Sequence, residues 1–190
     1  MDIFWNRIIE QFREKRSKQF APLATFLLKI HLTANRLTLL SLLFGVCSIY
    51  FLFNNYLLFF VFGLLHLITD GLDGVVARVQ GFSSYGKYLD FLSDRTIAIL
   101  CLIKLGIYLQ DYYVFIALAL NLLTHSISIL SKFKYQSLYS RTFMLVILFL
   151  NLPAVLFITK LNLPVIAYLT AGVISLYSLV LQFKFWLEKR

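Results

Sequence analysis

Six apolar runs, each near the length that crosses a bilayer, constrain this chain more than any other feature. They cover Leu37–Phe53, Tyr56–Ala77, Tyr88–Leu109, Tyr113–Ser131, Arg141–Ile158 and Leu163–Phe183. A helix needs about 20 mainly apolar residues to span the hydrocarbon core. In that medium each backbone N–H and C=O must be satisfied within the structure, which leaves helices or closed barrels. Apolar runs of this length predict helices. The expected fold is therefore an all-α integral membrane protein with six transmembrane helices. Composition agrees: 60% of residues are hydrophobic and 14% charged, and mean hydropathy is +0.80. Soluble domains sit near half apolar and about a quarter charged. The length leaves no room for a second globular domain. The expected organisation is a short amino-terminal segment, residues 1–20, followed by one membrane domain, residues 21–190.

That first segment does not read as a secretory signal, which would carry an uninterrupted apolar core and a small-residue cleavage site. Trp5, Ile8, Ile9 and Phe12 recur at helical spacing, and Arg7, Glu10, Arg13, Glu14 and Lys15 fall on other faces. The pattern predicts an amphipathic helix lying in the membrane interface. Lys15, Arg16 and Lys18 add attraction to anionic lipid. The formal charge of +9 is not a nucleic-acid signature, because the basic residues flank the apolar runs. They cluster in the amino terminus, the loop between Arg78 and Lys87, the loop between Lys132 and Arg141, and the carboxyl terminus. Only Lys104 and Lys160 fall toward the opposite side, with Asn54, Asn55, Gln110 and Asp111. The positive-inside rule then places both termini in the cytoplasm. Cys47 and Cys101 both fall in apolar runs and read as packed or lipid-facing side chains.

Four of the six aspartates, Asp70, Asp73, Asp90 and Asp94, lie in one stretch at the cytoplasmic ends of the second and third runs. Carboxylates at a membrane edge are costly and point to function. Residues three and four apart share a helix face. Two antiparallel helices can thus bring these carboxylates toward one point. Four such groups repel one another unless a cation intervenes. Carboxylate oxygens alone suit a hard divalent ion, Mg²⁺ or Mn²⁺, rather than zinc, with one or two ions at the site. His66, one turn before Asp70, reads as a packed residue or one that supports the ligands from behind, rather than as a ligand itself. Gly71, Gly74, Gly81 and Gly86 leave space for close backbone approach. Arg78 carries a planar fork suited to phosphate, with pinning of the helix end as its other reading. Carboxylate-held metal beside arginine implies phosphoryl or pyrophosphate chemistry.

These residues form a pattern, D-x-x-D-G-x-x-A-R followed after a short gap by G-x-x-x-D-x-x-x-D. Asp70, Asp73, Gly74, Ala77, Arg78, Gly86, Asp90 and Asp94 fill it. It resembles the signature of the CDP-alcohol phosphotransferase (CDP-alcohol phosphatidyltransferase) family. The stretch Thr33-Ala34-Asn35-Arg36-Leu37-Thr38 is similar to that family's T-P-N-x-L-T, with Ala34 in place of proline. The resemblance implies cleavage of the pyrophosphate of a CDP-linked lipid, usually CDP-diacylglycerol, with the lipid-phosphoryl group passing to an alcohol and CMP leaving. It implies that Asp70, Asp73 and Asp90 hold two metal ions. Asp94 would be the general base, with a contact to the second ion. Gly74, Ala77 and Arg78 would frame the cytidine nucleotide, helped by Asn35 and a hydroxyl of Ser83 or Ser84. It also implies a homodimer. The demands of the reaction agree: an alcohol is a poor nucleophile at neutral pH and needs a base and a stabilised leaving group.

The acceptor is read from charge. Arg95 and Arg141 fall inside or at the edge of apolar runs, and Lys132 and Lys134 in the adjoining loop. Such cations suit the phosphate of glycerol 3-phosphate or inositol phosphate. The loop lysines also serve as topology determinants. Inositol, serine, ethanolamine or choline would need less positive charge. A cation transporter would place its acids nearer the bilayer midplane. An inactive lipid-binding relative would not need all four carboxylates.

Overall fold

A computed structural model of the chain describes residues 19–81, 83–131, 140–150 and 162–188. Among them all regular structure is helical. Residues 19–29 form α1. Then come α2 (Ala34–Phe51), α3 (Tyr56–Gln80), α4 (Ser84–Leu109), α5 (Tyr113–Leu130), α6 (Ser140–Phe149) and α7 (Leu163–Glu188). Polar residues just ahead of the helices set their starts. Asn55 Oδ1 accepts the Leu58 N–H at 3.1 Å, Ser83 Oγ accepts the Gly86 N–H at 2.9 Å, and Asn162 Oδ1 accepts the Val165 N–H at 3.4 Å. Asp111 Oδ1 does the same for Tyr113 at 3.0 Å. Each satisfies a donor that the first helical turn leaves without a carbonyl. Left-handed residues follow three helix ends: His31 (φ 61°) after α1, Gly81 (φ 95°) after α3 and Gln110 (φ 52°) after α4. This conformation commonly closes a helix, and glycine adopts it without a Cβ penalty.

Among the described residues, four helices are long and apolar enough to cross a membrane: α2, α3, α5 and α7. These are the helices of a multi-pass membrane protein. The third expected span is a continuous 26-residue helix, α4, that carries Asp90, Asp94, Arg95 and Lys104 among its apolar residues. The fifth is represented by the ten residues of α6, and the rest of its expected range lies outside the described residues. So do Trp5, Ile8, Ile9 and Phe12 of the expected interfacial helix. α3, α4 and α7 extend beyond the apolar runs read from sequence, whereas α2 (Ala34–Phe51) starts ahead of its run and ends short of Phe53. α4, for example, starts at Ser84 rather than Tyr88. Hydropathy detects the lipid-facing length, whereas a helix continues until a cap or a left-handed residue ends it.

The chain divides into two compact units, one formed by Met1–Cys47 with Val61–Ser93 and the other by Ser48–Phe60 with Asp94–Arg190. In the first, Ala24 of α1 packs with Leu37, Val75 and Val76, flanked by Leu27, Leu28 and Ala34. α2 and α3 run antiparallel and exchange polar contacts along their length. The Ala34 N–H donates to Gln80 Oε1 at 3.3 Å, the Thr38 hydroxyl to Asp73 Oδ2 at 2.8 Å, and Ser41 Oγ lies 2.8 Å from His66 Nδ1. His66 Nδ1 is also 2.9 Å from the Ser41 carbonyl oxygen, so this buried ring is a packed cross-link, as its position suggested.

In the second unit α5 and α6 both pack on α7. Small residues permit the approach: a Cβ on Gly172 would stand 3.3 Å from that of Ala117. A polar seam joins the three helices. Asn121 Nδ2 donates to Ser140 Oγ at 2.9 Å and to Ser175 Oγ at 3.1 Å. Gln182 Nε2 donates to the Thr124 carbonyl oxygen and to Ser128 Oγ, both at 3.1 Å. Small residues and interhelical hydrogen bonds are the usual means of holding helices together in lipid, where burial of apolar surface gives no driving force.

Candidate active site

The first unit gathers most of the sequence pattern around one cavity. Its volume is about 120 Å³, and its walls include Asn35, Thr38, Asp73, Gly74, Ala77, Ser83, Gly86 and Asp90. α2 supplies the first two and α3 the next three; the start of α4 supplies Gly86 and Asp90. Ser83 caps α4 with the hydroxyl that accepts from Gly86. The absence of a side chain at Gly86 is a local requirement: a Cβ there would lie 2.9 Å from both Asn35 Oδ1 and Ser83 Oγ. Glycine at this position therefore lets the Asn35 amide and the Ser83 hydroxyl stand at the mouth of α4.

The carboxylates sort into two groups. Asp70, partly buried on α3, and Asp90, exposed on α4, bring one oxygen each within 4.8 Å. Asp94 follows one turn beyond Asp90 on the same helix. Asp73 is turned differently. Its Oδ2 accepts the Thr38 hydroxyl, its side chain is 5% exposed, and it lines the cavity with Asp90. The helix explains the divergence. Residues three apart are offset by about 60° around the axis, so Asp70 and Asp73 face neighbouring sectors rather than one point. The donor set fits a hard divalent cation, because carboxylate oxygens from adjacent helices offer oxygen-only ligation without neutral nitrogen or sulfur.

In the second unit, Asp94 Oδ1 and Arg141 Nη1 form a 2.6 Å ion pair. Arg141 is 4% exposed and Arg95 7% exposed. Both are thus buried cations in a helical unit. Among the other expected site residues, Arg78 and Ser84 lie on α3 and α4 but not in the cavity wall. Lys132 and Lys134 fall outside the described residues.

Sequence reading assigned no role to Thr38, Gln80 or Lys87, all of which line the cavity. Thr38 carried a signal, since it ends the Thr33–Thr38 motif. Gln80 and Lys87 sit at positions that the pattern leaves open. Gln80 is placed by its bond to the first N–H of α2, a long-range contact that no local spacing reveals.

A family model of CDP-alcohol phosphatidyltransferase matches residues 31–183, and the chain belongs to that family. A curated relative from Aquifex aeolicus (strain VF5), described only as an uncharacterized protein, is 32% identical over 93 residues, which are 48% of this chain and 47% of that protein. The chain spans about half the length of that relative in the match.

Proposed function

We propose that the protein transfers a phosphatidyl group from a CDP-linked lipid, CDP-diacylglycerol in the simplest case, to a small alcohol at the cytoplasmic membrane surface. The observation that carries this reading is the cavity shared by Asp73, Asp90, Asn35, Gly74 and Ala77 within a chain of this family. The acceptor oxygen attacks the phosphorus that bears the diacylglycerol. The bond from that phosphorus to the bridging pyrophosphate oxygen breaks, and CMP leaves with that oxygen. Asp94 takes the proton of the acceptor hydroxyl. Gly74, Ala77 and Asn35 shape the nucleotide pocket, and the Ser83 hydroxyl and Arg78 hold its polar groups, with Ser84 beside them.

Asp70, Asp73 and Asp90, with Asp94 next to them, would hold Mg²⁺ or Mn²⁺, two ions per site. When bound, such ions polarise phosphoryl oxygens and stabilise the leaving group. The acceptor is a phosphorylated polyol, glycerol 3-phosphate or inositol phosphate. What supports this is the pair of buried guanidinium groups, Arg95 and Arg141, in the unit that contains Asp94. Lys132 and Lys134 would add to that charge.

The wider organisation follows. Six helices cross the membrane, the amino-terminal segment lies in the interface, and both termini and the active site face the cytoplasm. Residues 21–190 act as one membrane domain, and the protein is a homodimer. The test is CMP release from CDP-diacylglycerol by purified protein in nanodiscs with Mg²⁺ or Mn²⁺, run against glycerol 3-phosphate, inositol phosphate, inositol, serine, ethanolamine and choline. No metal-dependent CMP release with any acceptor would overturn the activity. Preference for serine or free inositol would overturn the phosphorylated acceptor alone.

A further inference from the structure

We infer that Thr38 is a positioning residue for Asp73, fixing through one hydroxyl the carboxylate that α3 turns away from its neighbour Asp70. The inference rests on the reading of Asp73 as a metal ligand. Thr38 is 4% exposed and Asp73 5% exposed, so their 2.8 Å contact is shielded from water. The hydroxyl has one proton and two acceptors in reach: Asp73 Oδ2, and the Ala34 carbonyl oxygen one turn back at 3.1 Å. The carboxylate is nearer, and hydrogen bonds to ionised acceptors are the stronger ones. The proton therefore goes to Asp73. The threonine is well suited to hold it. A β-branched side chain on a helix has few χ1 choices, and the backbone on either side is anchored. At Ala34 the helix is tied to Gln80, and at Ser41, one turn on, to His66.

The Thr38 hydroxyl takes one of the acceptor sites of the ionised carboxylate. That bond holds the plane of the carboxylate and so the direction in which its other lone pairs would face a cation. A free carboxylate would rotate about its terminal torsion, which is broad. Partners one shell out from a metal typically contribute about 10- to 100-fold to its affinity. Thr38 also lines the cavity, so a direct contact with bound nucleotide is the rival role.

The experiment measures Mn²⁺ affinity by electron paramagnetic resonance on the full chain in nanodiscs, without nucleotide, for wild type, Thr38→Val, Thr38→Ser and Asp73→Asn. CDP affinity is measured separately by calorimetry at saturating Mn²⁺. Valine keeps the shape of threonine and lacks the hydroxyl; serine keeps the hydroxyl. Thr38→Val is expected to weaken Mn²⁺ binding about tenfold or more, with Thr38→Ser within about twofold of wild type. Adding Thr38→Val to Asp73→Asn should cost little more, because the two act through one ligand. Thermal melting of each variant controls for folding. The inference is overturned if Thr38→Val binds Mn²⁺ like wild type while Asp73→Asn does not, since the ligand reading then survives without it. It is also overturned if serine fares as badly as valine, or if Thr38→Val loses only CDP affinity. If Asp73→Asn itself leaves Mn²⁺ binding intact, the ligand reading fails and takes the inference with it.

Discussion

Two polar regions of the molecule differ in what their side chains can do for one another. In the seam of α5, α6 and α7 the participants are amides and hydroxyls: Asn121, Ser140, Ser175, Gln182 and Ser128. Each can donate and accept, so the group satisfies much of its own demand and holds three helices together. On α3 and the start of α4 the participants are carboxylates, which only accept when ionised. Asp70 and Asp90 approach within 4.8 Å, an arrangement that like charges resist. A membrane protein gains nothing in packing from that repulsion. Polarity alone thus does not mark a site in such a fold. Polarity of one kind, converging beside a cavity, does.

The contrast is broken most directly by removing charge from the carboxylate side. Chelation with EDTA is expected to reduce CMP release to background, and Mg²⁺ or Mn²⁺ to restore it. Asp70→Asn or Asp90→Asn should likewise lose most turnover while the protein still inserts in the membrane. Full turnover in chelated enzyme, or in either variant, would place these groups with the structural seam instead. A smaller and more specific loss is expected at Asp94. Asp94→Asn should lower kcat about 10²- to 10⁴-fold, the scale of general-base catalysis, with the donor KM nearly kept. The same substitution removes the charge facing Arg141 across 2.6 Å, and a buried guanidinium without its carboxylate is costly. A melting temperature should therefore accompany the rate. A fall in stability with kcat unchanged would make Asp94 a structural partner of Arg141 rather than a base.

Much of the carboxylate side could be read in advance because its spacing is short-range. Asp90 and Asp94 are one turn apart on a helix that the apolar run already implied, and Gly74 and Ala77 are one turn apart on α3. What spacing could not resolve was direction. Asp70 and Asp73 share a broad face, yet the structure gives one to Asp90 and the other to Thr38. That choice depends on the register of α2 against α3, a contact 35 residues apart in sequence. The seam was invisible for a related reason. Asn121 and Gln182 each look like an isolated polar residue in an apolar run, and only the packing of α5 on α7 joins them to partners. Helix ends were blurred because hydropathy follows lipid contact, not hydrogen bonding. The helix 19–29 escaped notice because it lies ahead of the first long apolar run. Its buried residue is a single small one, Ala24, while Leu23 and Phe26 stay exposed.

Two further changes sharpen the comparison. Arg78→Ala should weaken use of the CDP donor by about 1.5–3 kcal/mol, the range for a hydrogen bond to a charged group. Arg78→Lys should rescue it only in part, because an ammonium cannot reproduce the planar fork. Steady-state kinetics with varied CDP-diacylglycerol checks this. An unchanged donor kcat/KM in Arg78→Ala would leave Arg78 as a residue that merely pins the end of α3.

The smallest effect is expected in the seam, and it bears most directly on what separates the two regions. Asn121→Ala removes the amide that joins α5 to Ser140 and Ser175. In water-soluble proteins a buried hydroxyl left without a partner is costly, but in membrane bundles the measured worth of interhelical hydrogen bonds averages only about 0.6 kcal/mol. The freed Ser140 and Ser175 can also turn toward carbonyls of their own helices, as Ser178 already does toward Ile174 at 2.8 Å. Asn121→Ala should therefore lower unfolding stability in micelles by about 0.6–1.7 kcal/mol, with kcat and both KM values within about twofold of wild type. The ratio of effects is the quantity of interest: stability without activity at Asn121, activity without stability at Asp90. If Asn121→Ala instead cut kcat tenfold at unchanged stability, the seam would belong to the reaction, and chemical kind would no longer distinguish the site from the scaffold.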